Sequence, residues 1–255
     1  MTSSFDVTAA TFDRFRALPP GVPEAILKTV RDSVGARLSA GVLDLGAGTG
    51  RISKVFVSVE GLYVGVDLSL PMLREFRVQS AGAWLVQADG ERLPFRDNTF
   101  GVVLLMQVLS GARDWQNLLS EVVRVLQPAG AVVVGHTLAP STGIDAQLKR
   151  QLAIVLEQMG IAWRGLNKSR TKALSWLEAR ATHRHATAAS WTAERTPQEF
   201  FVRHRTGARF AALPVAVQAE ALMKATAWAE EKFGSLDRVF PEEHSFEVDT
   251  FDFCH

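Results

Sequence analysis

Short runs of β-branched and aliphatic residues alternate along the first half of the chain with segments of helical spacing, and the first run passes directly into glycines 46, 48 and 50. Alternation of this kind builds a parallel sheet whose crossovers are helices. Residues 42–45, 62–67, 84–88, 102–106 and 131–135 read as five strands. Helical spacing is clearest over 114–127, where Leu118, Leu119, Val122, Val123 and Leu126 share a face. Asp114 is placed to cap that helix, and Pro128 with Gly130 to stop it. Residues 5–18 and 23–38 read as two helices separated by Pro19-Pro20. Beyond the fifth strand, 144–159, 170–180 and 196–234 read as helical, and 183–191 and 245–253 as two further strands. In the last of these the apolar parity shifts from Phe246 and Val248 to Phe251 and Phe253, which predicts a bulge near Thr250. The expectation is an α/β fold: a seven-stranded, mostly parallel sheet flanked by helices.

Composition narrows the function classes. A chain of 255 residues with 47% apolar content can bury roughly three quarters of its unfolded surface, so disorder and disulfide-scaffold readings fall away. Its 28 basic and 27 acidic residues give +1, which offers no bulk attraction to nucleic acid or a membrane. The balance is uneven along the chain: residues 1–139 sum to zero, 140–210 to +7 and 211–255 to −6. Two faces of one lobe that pair with each other would give this pattern, as would a surface for a partner. The only cysteine, Cys254, allows no internal disulfide. The first residues show no basic start followed by an apolar stretch, and the longest apolar run, 102–109, is far below the ~18 residues of a membrane-spanning helix. A cytoplasmic protein is expected.

The chemistry starts at Val42-Leu43-Asp44-Leu45-Gly46-Ala47-Gly48-Thr49-Gly50-Arg51, a buried strand running into a glycine loop that can press its backbone against a ligand. A dinucleotide fingerprint would place glycine or alanine where Arg51 stands, which disfavours a nicotinamide-dependent oxidoreductase, and the Gly-Lys-Ser/Thr of a triphosphate loop is absent. Asp67 ends the second strand, at the spacing from the first glycine where a carboxylate accepts ribose hydroxyls. Asp89 ends the third, where it could accept from an adenine amino group. Each acid alone reads as a turn or loop cap; three on consecutive strand ends point to the crevice where such sheets bind ligands.

These stretches resemble the class I S-adenosylmethionine-dependent methyltransferases, in the type 11 branch that includes quinone C-methyltransferases. The resemblance is carried by 42–51, by 63–73 with Gly65-Val66-Asp67-Leu68-Ser69, and by Gln87-Ala88-Asp89 with Leu93-Pro94-Phe95. Asn98-Thr99-Phe100 and 119–130 extend it, so that it spans roughly 40–137. It implies a Rossmann-like methyltransferase fold with a helical lid, divided into an N-terminal helical cap (1–40), a cofactor core (41–139) and a lid and acceptor region whose last two strands complete the sheet (140–255). It implies S-adenosyl-L-methionine as cofactor and S-adenosyl-L-homocysteine as product. Gly46, Ala47, Gly48, Thr49, Gly50 and Arg51 would line the methionine moiety and Asp44 would hold its ammonium group. Asp67 would take the ribose, Leu68 and Met72 would pack on adenine, and Asp89, Gly90 and Glu91 would contact the ring.

The chain departs from that pattern in three places. Gln107 stands in a segment, 106–111, where relatives carry histidines; it can contact the cofactor but supplies no base. Ala129-Gly130 replaces a common Gly-Gly. Phe12 stands where a tyrosine is common, and Arg16 nearby is expected to meet the methionine carboxylate. His136, just after the fifth strand, is the best candidate for a general base.

The expected acceptor is a small molecule, anionic if the basic 140–210 stretch attracts it, with no nucleic acid, no membrane and no metal involved and the protein a monomer or homodimer. Alternatives are a non-catalytic S-adenosylmethionine-binding protein that uses its basic lobe for a partner, and an RNA methyltransferase. His183 and His185 share a strand face but lack a third ligand for a metal, so they read, with His204, as a solvated basic edge. Trp163, Trp176, Trp191 and Trp228 are expected to pack the helical lobe.

Overall fold

A computed structural model describes residues 13, 16–59, 61–112, 114–163, 168–205 and 208–253. The first strand, β1 (Val42–Leu45), is buried at all four positions, which explains why its sequence is a continuous apolar run apart from Asp44. It lies between β2 (Tyr63–Asp67) and β4 (Phe100–Met106) and pairs with both in parallel. β3 (Trp84–Gln87) adds to β2 as an exposed edge, and β5 (Leu126–Leu138) adds to β4. With β6 (Thr182–Arg195) and β7 (Phe240–Asp252) the sheet has seven strands in the order β3-β2-β1-β4-β5-β7-β6. Phe253 N–H donates to Gly130 O while Phe246 reaches the α-carbon of Gly135, so β7 runs against β5. His183 meets Asp249 and Thr187 meets Glu247, so β6 runs against β7.

The helices follow their apolar faces. α1 (Val22–Val34) buries Val22, Ile26, Val30 and Val34 and ends at Gly35. α2 (Leu70–Gln79) is capped by Ser69, whose hydroxyl accepts from Met72 N–H. α3 (Trp115–Val125) is capped by Asp114 as its sequence predicts, and buries Leu118, Leu119, Val122 and Val125, each worth about 2 kcal/mol over an exposed position. It ends before the expected Pro128 stop. Leu126 already pairs with Phe100, and the register then shifts before pairing resumes between Ala131 and Val102. Pro128, which has no N–H to donate, and Ala129, at φ +60°, fall within that irregularity. Residues 246–251 of β7 are all buried, so the strand is covered on both faces and its apolar residues need not keep one parity.

The chain forms two compact units. The first comprises the described parts of Met1–Thr137, Leu166–Ala189 and Phe246–His255, and the second Leu138–Gly165 and Ser190–Ser245. Helix α5 (Lys168–Glu178) therefore belongs to the sheet unit, where Ala173, Leu177 and Trp176 join the core of Val103, Val134 and Phe251. Trp176 thus packs the sheet rather than the helical lobe. In the second unit, α4 (Ile144–Gln158), α6 (Pro197–Arg205), α7 (Ala208–Ala211) and α8 (Val215–Phe233) replace the single helical stretch expected over 196–234. Pro214 caps α8 and breaks that stretch. The core here gathers Leu148, Leu152, Phe200, Phe210, Ala225 and Phe233, with Trp163 and Trp228 against it.

In the first unit the two C-terminal blocks meet in one ion pair, Arg184 Nη2 lying 2.7 Å from Asp252 Oδ2, whereas in the second Arg203 Nη2 lies 2.7 Å from Asp145 Oδ1 within the basic block itself. Among the described residues, no helix is long and apolar enough to cross a membrane.

Candidate functional site

At the C-terminal end of β1 the backbone must turn sharply, and glycine supplies the conformations. Gly46, Gly48 and Gly50 all take positive φ, at +80°, +57° and +77°. The loop is pinned to β2 by Gly46 and Ala47 N–H groups on Val66 O, and by Gly48 N–H on Asp67 Oδ2 at 2.9 Å. A side chain at Gly46 would collide with Val108, and one at Gly50 with the buried ring of Phe76. At Gly48 a Cβ would meet nothing closer than Gly46 O at 3.9 Å, so this position faces open space.

That space is a cleft lined by Gly46, Ala47, Gly48, Thr49, Arg51 and Asp67, with Met72 and Gln107 completing the predicted members. Ile52, Ser53, Met106 and Val108 also line it. These four were not singled out from sequence, although Met106 and Val108 flank Gln107 and could have been read from the end of β4.

Gln107 sits at φ +62°, a conformation uncommon outside glycine and often found at functional positions. Its side chain bridges the cleft wall: Oε1 accepts from Arg51 Nη2 at 2.8 Å, and Nε2 donates to Thr137 Oγ1 at 2.7 Å. Arg51 Nη1 donates to Arg16 O at 2.7 Å. Burial, reinforced by nearby Arg16, brings Arg51 down to about 10, so it keeps its charge at neutral pH. Thr49 donates to Asp13 Oδ1 at 2.6 Å.

Asp67 accepts Gly48 N–H on Oδ2 and Ser69 N–H on Oδ1, at 2.9 and 2.8 Å.

Asp44 lies beneath the loop rather than along the cleft. It is fully buried, and Tyr63 donates to its Oδ2 at 2.7 Å. Burial pushes its carboxyl up to about 6, with Tyr63 and Ser53 opposing the rise. Its Oδ1 is a buried acceptor without a hydrogen-bond partner among the described residues, as expected of a group that serves a ligand or water near Ser53.

The remaining predicted residues stand outside the cleft lining. Asp89 closes a turn, accepting Glu91 N–H at 3.0 Å, and Glu91 in turn accepts Asp114 N–H at 3.0 Å. A Cβ at Gly90 would face Leu45 and Leu118. Leu68 O accepts from Gln87 Nε2. Gly50 faces Phe76, Arg16 offers its carbonyl to Arg51, and Phe12 lies outside the described residues. His136 stands at the end of β5, with only 12% of its side chain exposed.

Residues 43–134 match the model of a methyltransferase domain. That likeness covers about a third of the chain. The matched segment holds nearly all of β1, β2 to β4 and most of β5, and with them the whole cleft. A demethylmenaquinone methyltransferase of Streptomyces griseus is 34% identical over 142 residues, 55% of this chain and 62% of that protein. A ubiquinone/menaquinone biosynthesis C-methyltransferase UbiE of Hahella chejuensis is 33% identical over 150 residues, 55% of this chain and 60% of that protein. The chain therefore spans about 60% of the length of these curated relatives. In fold it resembles the YcgJ protein of Bacillus subtilis, with a TM-score of 0.59 at 17% identity over 90% of this chain and 98% of that one. Likeness in sequence thus covers the sheet core, and likeness in fold nearly the whole chain.

Proposed function

We propose that the protein is an S-adenosyl-L-methionine-dependent methyltransferase acting on a small-molecule acceptor. The observation that carries this reading is the cleft in which the open face of Gly48 stands beside the Asp67 carboxylate at the end of β2. Asp67 would accept the ribose hydroxyls. Met72, Ile52 and Val108 would offer apolar surface, and the charged Arg51 would face the methionine carboxylate. When bound, the cofactor supplies a methyl group already activated by a positive sulfur, so the task left to the chain is to align the acceptor and exclude water.

The methyltransferase-domain match and the two quinone-methylating relatives support methyl transfer to a small molecule. A cytoplasmic location, a monomeric or homodimeric state and an anionic acceptor drawn by the +7 stretch at 140–210 belong to the same proposal.

The test is incubation with methyl-labelled S-adenosylmethionine and a panel of phenols, hydroquinones and amines. Label should appear in at least one panel member, with S-adenosylhomocysteine released in equal amount. Cofactor hydrolysis alone, without label in any acceptor, would count against a small-molecule transferase.

A further inference from the structure

The face of β5, β7 and β6 that packs on α5 carries imidazoles and carboxylates that the cleft does not use. His136 is flanked by Gly135, whose carbonyl accepts Gln107 N–H at 2.8 Å, and by Thr137, whose hydroxyl accepts Gln107 Nε2 at 2.7 Å. It is thus one residue to either side from partners of a cleft-lining side chain. Its Nδ1 is buried, has no hydrogen-bond partner among the described residues and lies 4.0 Å from Asp249 Oδ2. Nε2 is the ring nitrogen left open to solvent.

Asp249 is itself held firmly. Its Oδ1 accepts from His183 Nε2 at 2.8 Å and from His185 Nδ1 at 2.9 Å. His183 stacks on Phe251 with ring centroids 4.7 Å apart, and its Nδ1 lies 3.6 Å from Glu178 Oε1 on α5. His185 Nε2 lies 3.2 Å from Glu247 Oε2, which also accepts the Thr187 hydroxyl. The two histidines that sequence placed on a basic edge therefore orient one carboxylate.

We propose that His136 is the proton acceptor for the group being methylated and that Asp249, fixed by His183 and His185, is its positioning residue. This rests on the methyl-transfer reading above and adds a substrate class: an acceptor that loses a proton, a hydroxyl or an activated C–H, rather than a tertiary amine. A carboxylate opposite Nδ1 favours the tautomer with the proton on that nitrogen, which leaves the Nε2 lone pair free as a base. Nε2 takes the acceptor's proton, and the pair left on the acceptor forms the bond to the methyl carbon. The pair of the broken C–S bond stays on sulfur, which becomes neutral.

The charged surroundings agree with that role. Burial first, then Arg170 on α5 and His185 on β6, hold His136 below the ordinary histidine value, while Asp249 and Glu247 on β7 oppose them. That downward shift favours the neutral imidazole, the state that a base requires.

The proposal is tested on the intact chain with diethyl pyrocarbonate, which acylates neutral, accessible imidazole, with sites located by mass spectrometry between pH 5 and 8. His136 should be modified with a midpoint below that of free histidine. Asp249→Asn should lower that midpoint by about half a unit or more, since it removes the favourable carboxylate. An unmodified His136, or a midpoint indifferent to Asp249→Asn, would overturn the proposal.

His136→Gln provides a second arm that does not depend on the folding of the Asp249→Asn variant. Its turnover of any phenol or hydroquinone that the parent methylates should fall about 100-fold or more, with S-adenosylhomocysteine affinity within about twofold of the parent. Unchanged turnover with intact cofactor binding would refute the base alone. No cofactor binding by the parent would instead refute the methyltransferase reading.

Discussion

The phenol of Tyr63 donates to Asp44 Oδ2 over 2.7 Å, so the chain's only tyrosine and a fully buried carboxylate face each other across β2 and β1. Apart from Asp44 the two strands are apolar or glycine up to Asp67 at the end of β2, and they bury this pair directly beneath the glycine loop. An acid in that place is costly to the fold, and the cost has a defined dependence on pH.

In the unfolded chain Asp44 titrates near 3.8, whereas burial raises it to about 6 in the fold. The folded state thus binds the proton more tightly. Stability from this group is greatest below 3.8, declines as pH rises between 3.8 and 6, and stays low above that. Asp44→Asn is predicted to be more stable than the parent at pH 8 by about 1–3 kcal/mol, with the gain shrinking towards pH 4. Tyr63→Phe should destabilise by about 1.5–3 kcal/mol at pH 8, because it strips a donor from a buried charge, and by less at pH 4. Urea unfolding at the two pH values measures both; pH-independent differences would contradict the assignment.

Two glycines of the loop should respond oppositely to alanine. At Gly50, with φ +77°, the methyl group would enter the Phe76 ring, and a loss of about 2–4 kcal/mol is expected in thermal unfolding. At Gly48, with φ +57° and open space beyond, the fold should lose only about 1–2 kcal/mol while S-adenosylhomocysteine binding disappears. Normal binding by Gly48→Ala would mean that the ligand does not approach this backbone.

His204 makes the helical unit sensitive to acid. It stacks on Phe200 at 4.0 Å between centroids, and burial, with Lys149 and Arg203 nearby, brings it from 6.5 down to about 4. The stability associated with the neutral ring is complete above 6.5 and is lost as pH falls from 6.5 towards 4. His204→Phe should therefore narrow the difference in urea midpoint between pH 7.5 and pH 5. An unchanged difference would place the acid sensitivity elsewhere.

Much of the sheet was legible because its strands are buried on both faces and its turns carry glycine. β1 falls at 42–45 by pattern and by structure, and Asp114 caps α3 as its side-chain chemistry predicts. The start of β5 was not legible: Leu126 continues the helical face of Leu118 and Val122 in sequence, yet its pairing with Phe100 outweighs local spacing. The cleft lining of Gly46, Gly48, Arg51 and Asp67 could be read from strand-end spacing. The place of Asp89 could not, because an acid before Gly90-Glu91 accepts the neighbouring N–H of a turn as readily as it accepts from a ligand. Nor could the meeting of His136, His183 and His185 around Asp249, since it depends on β7 lying between β5 and β6, an order that local sequence does not encode.

The central claim is that the cleft between the glycine loop and Asp67 is the cofactor site, and isothermal titration of S-adenosylhomocysteine into the parent and Asp67→Ala tests it most directly. The parent should bind at one site per chain, and Asp67→Ala should weaken binding by about 1.5–3 kcal/mol, roughly 10- to 150-fold, as hydrogen bonds to a charged group are lost. Equal affinity in both proteins, or no heat with the folded parent, would contradict the account.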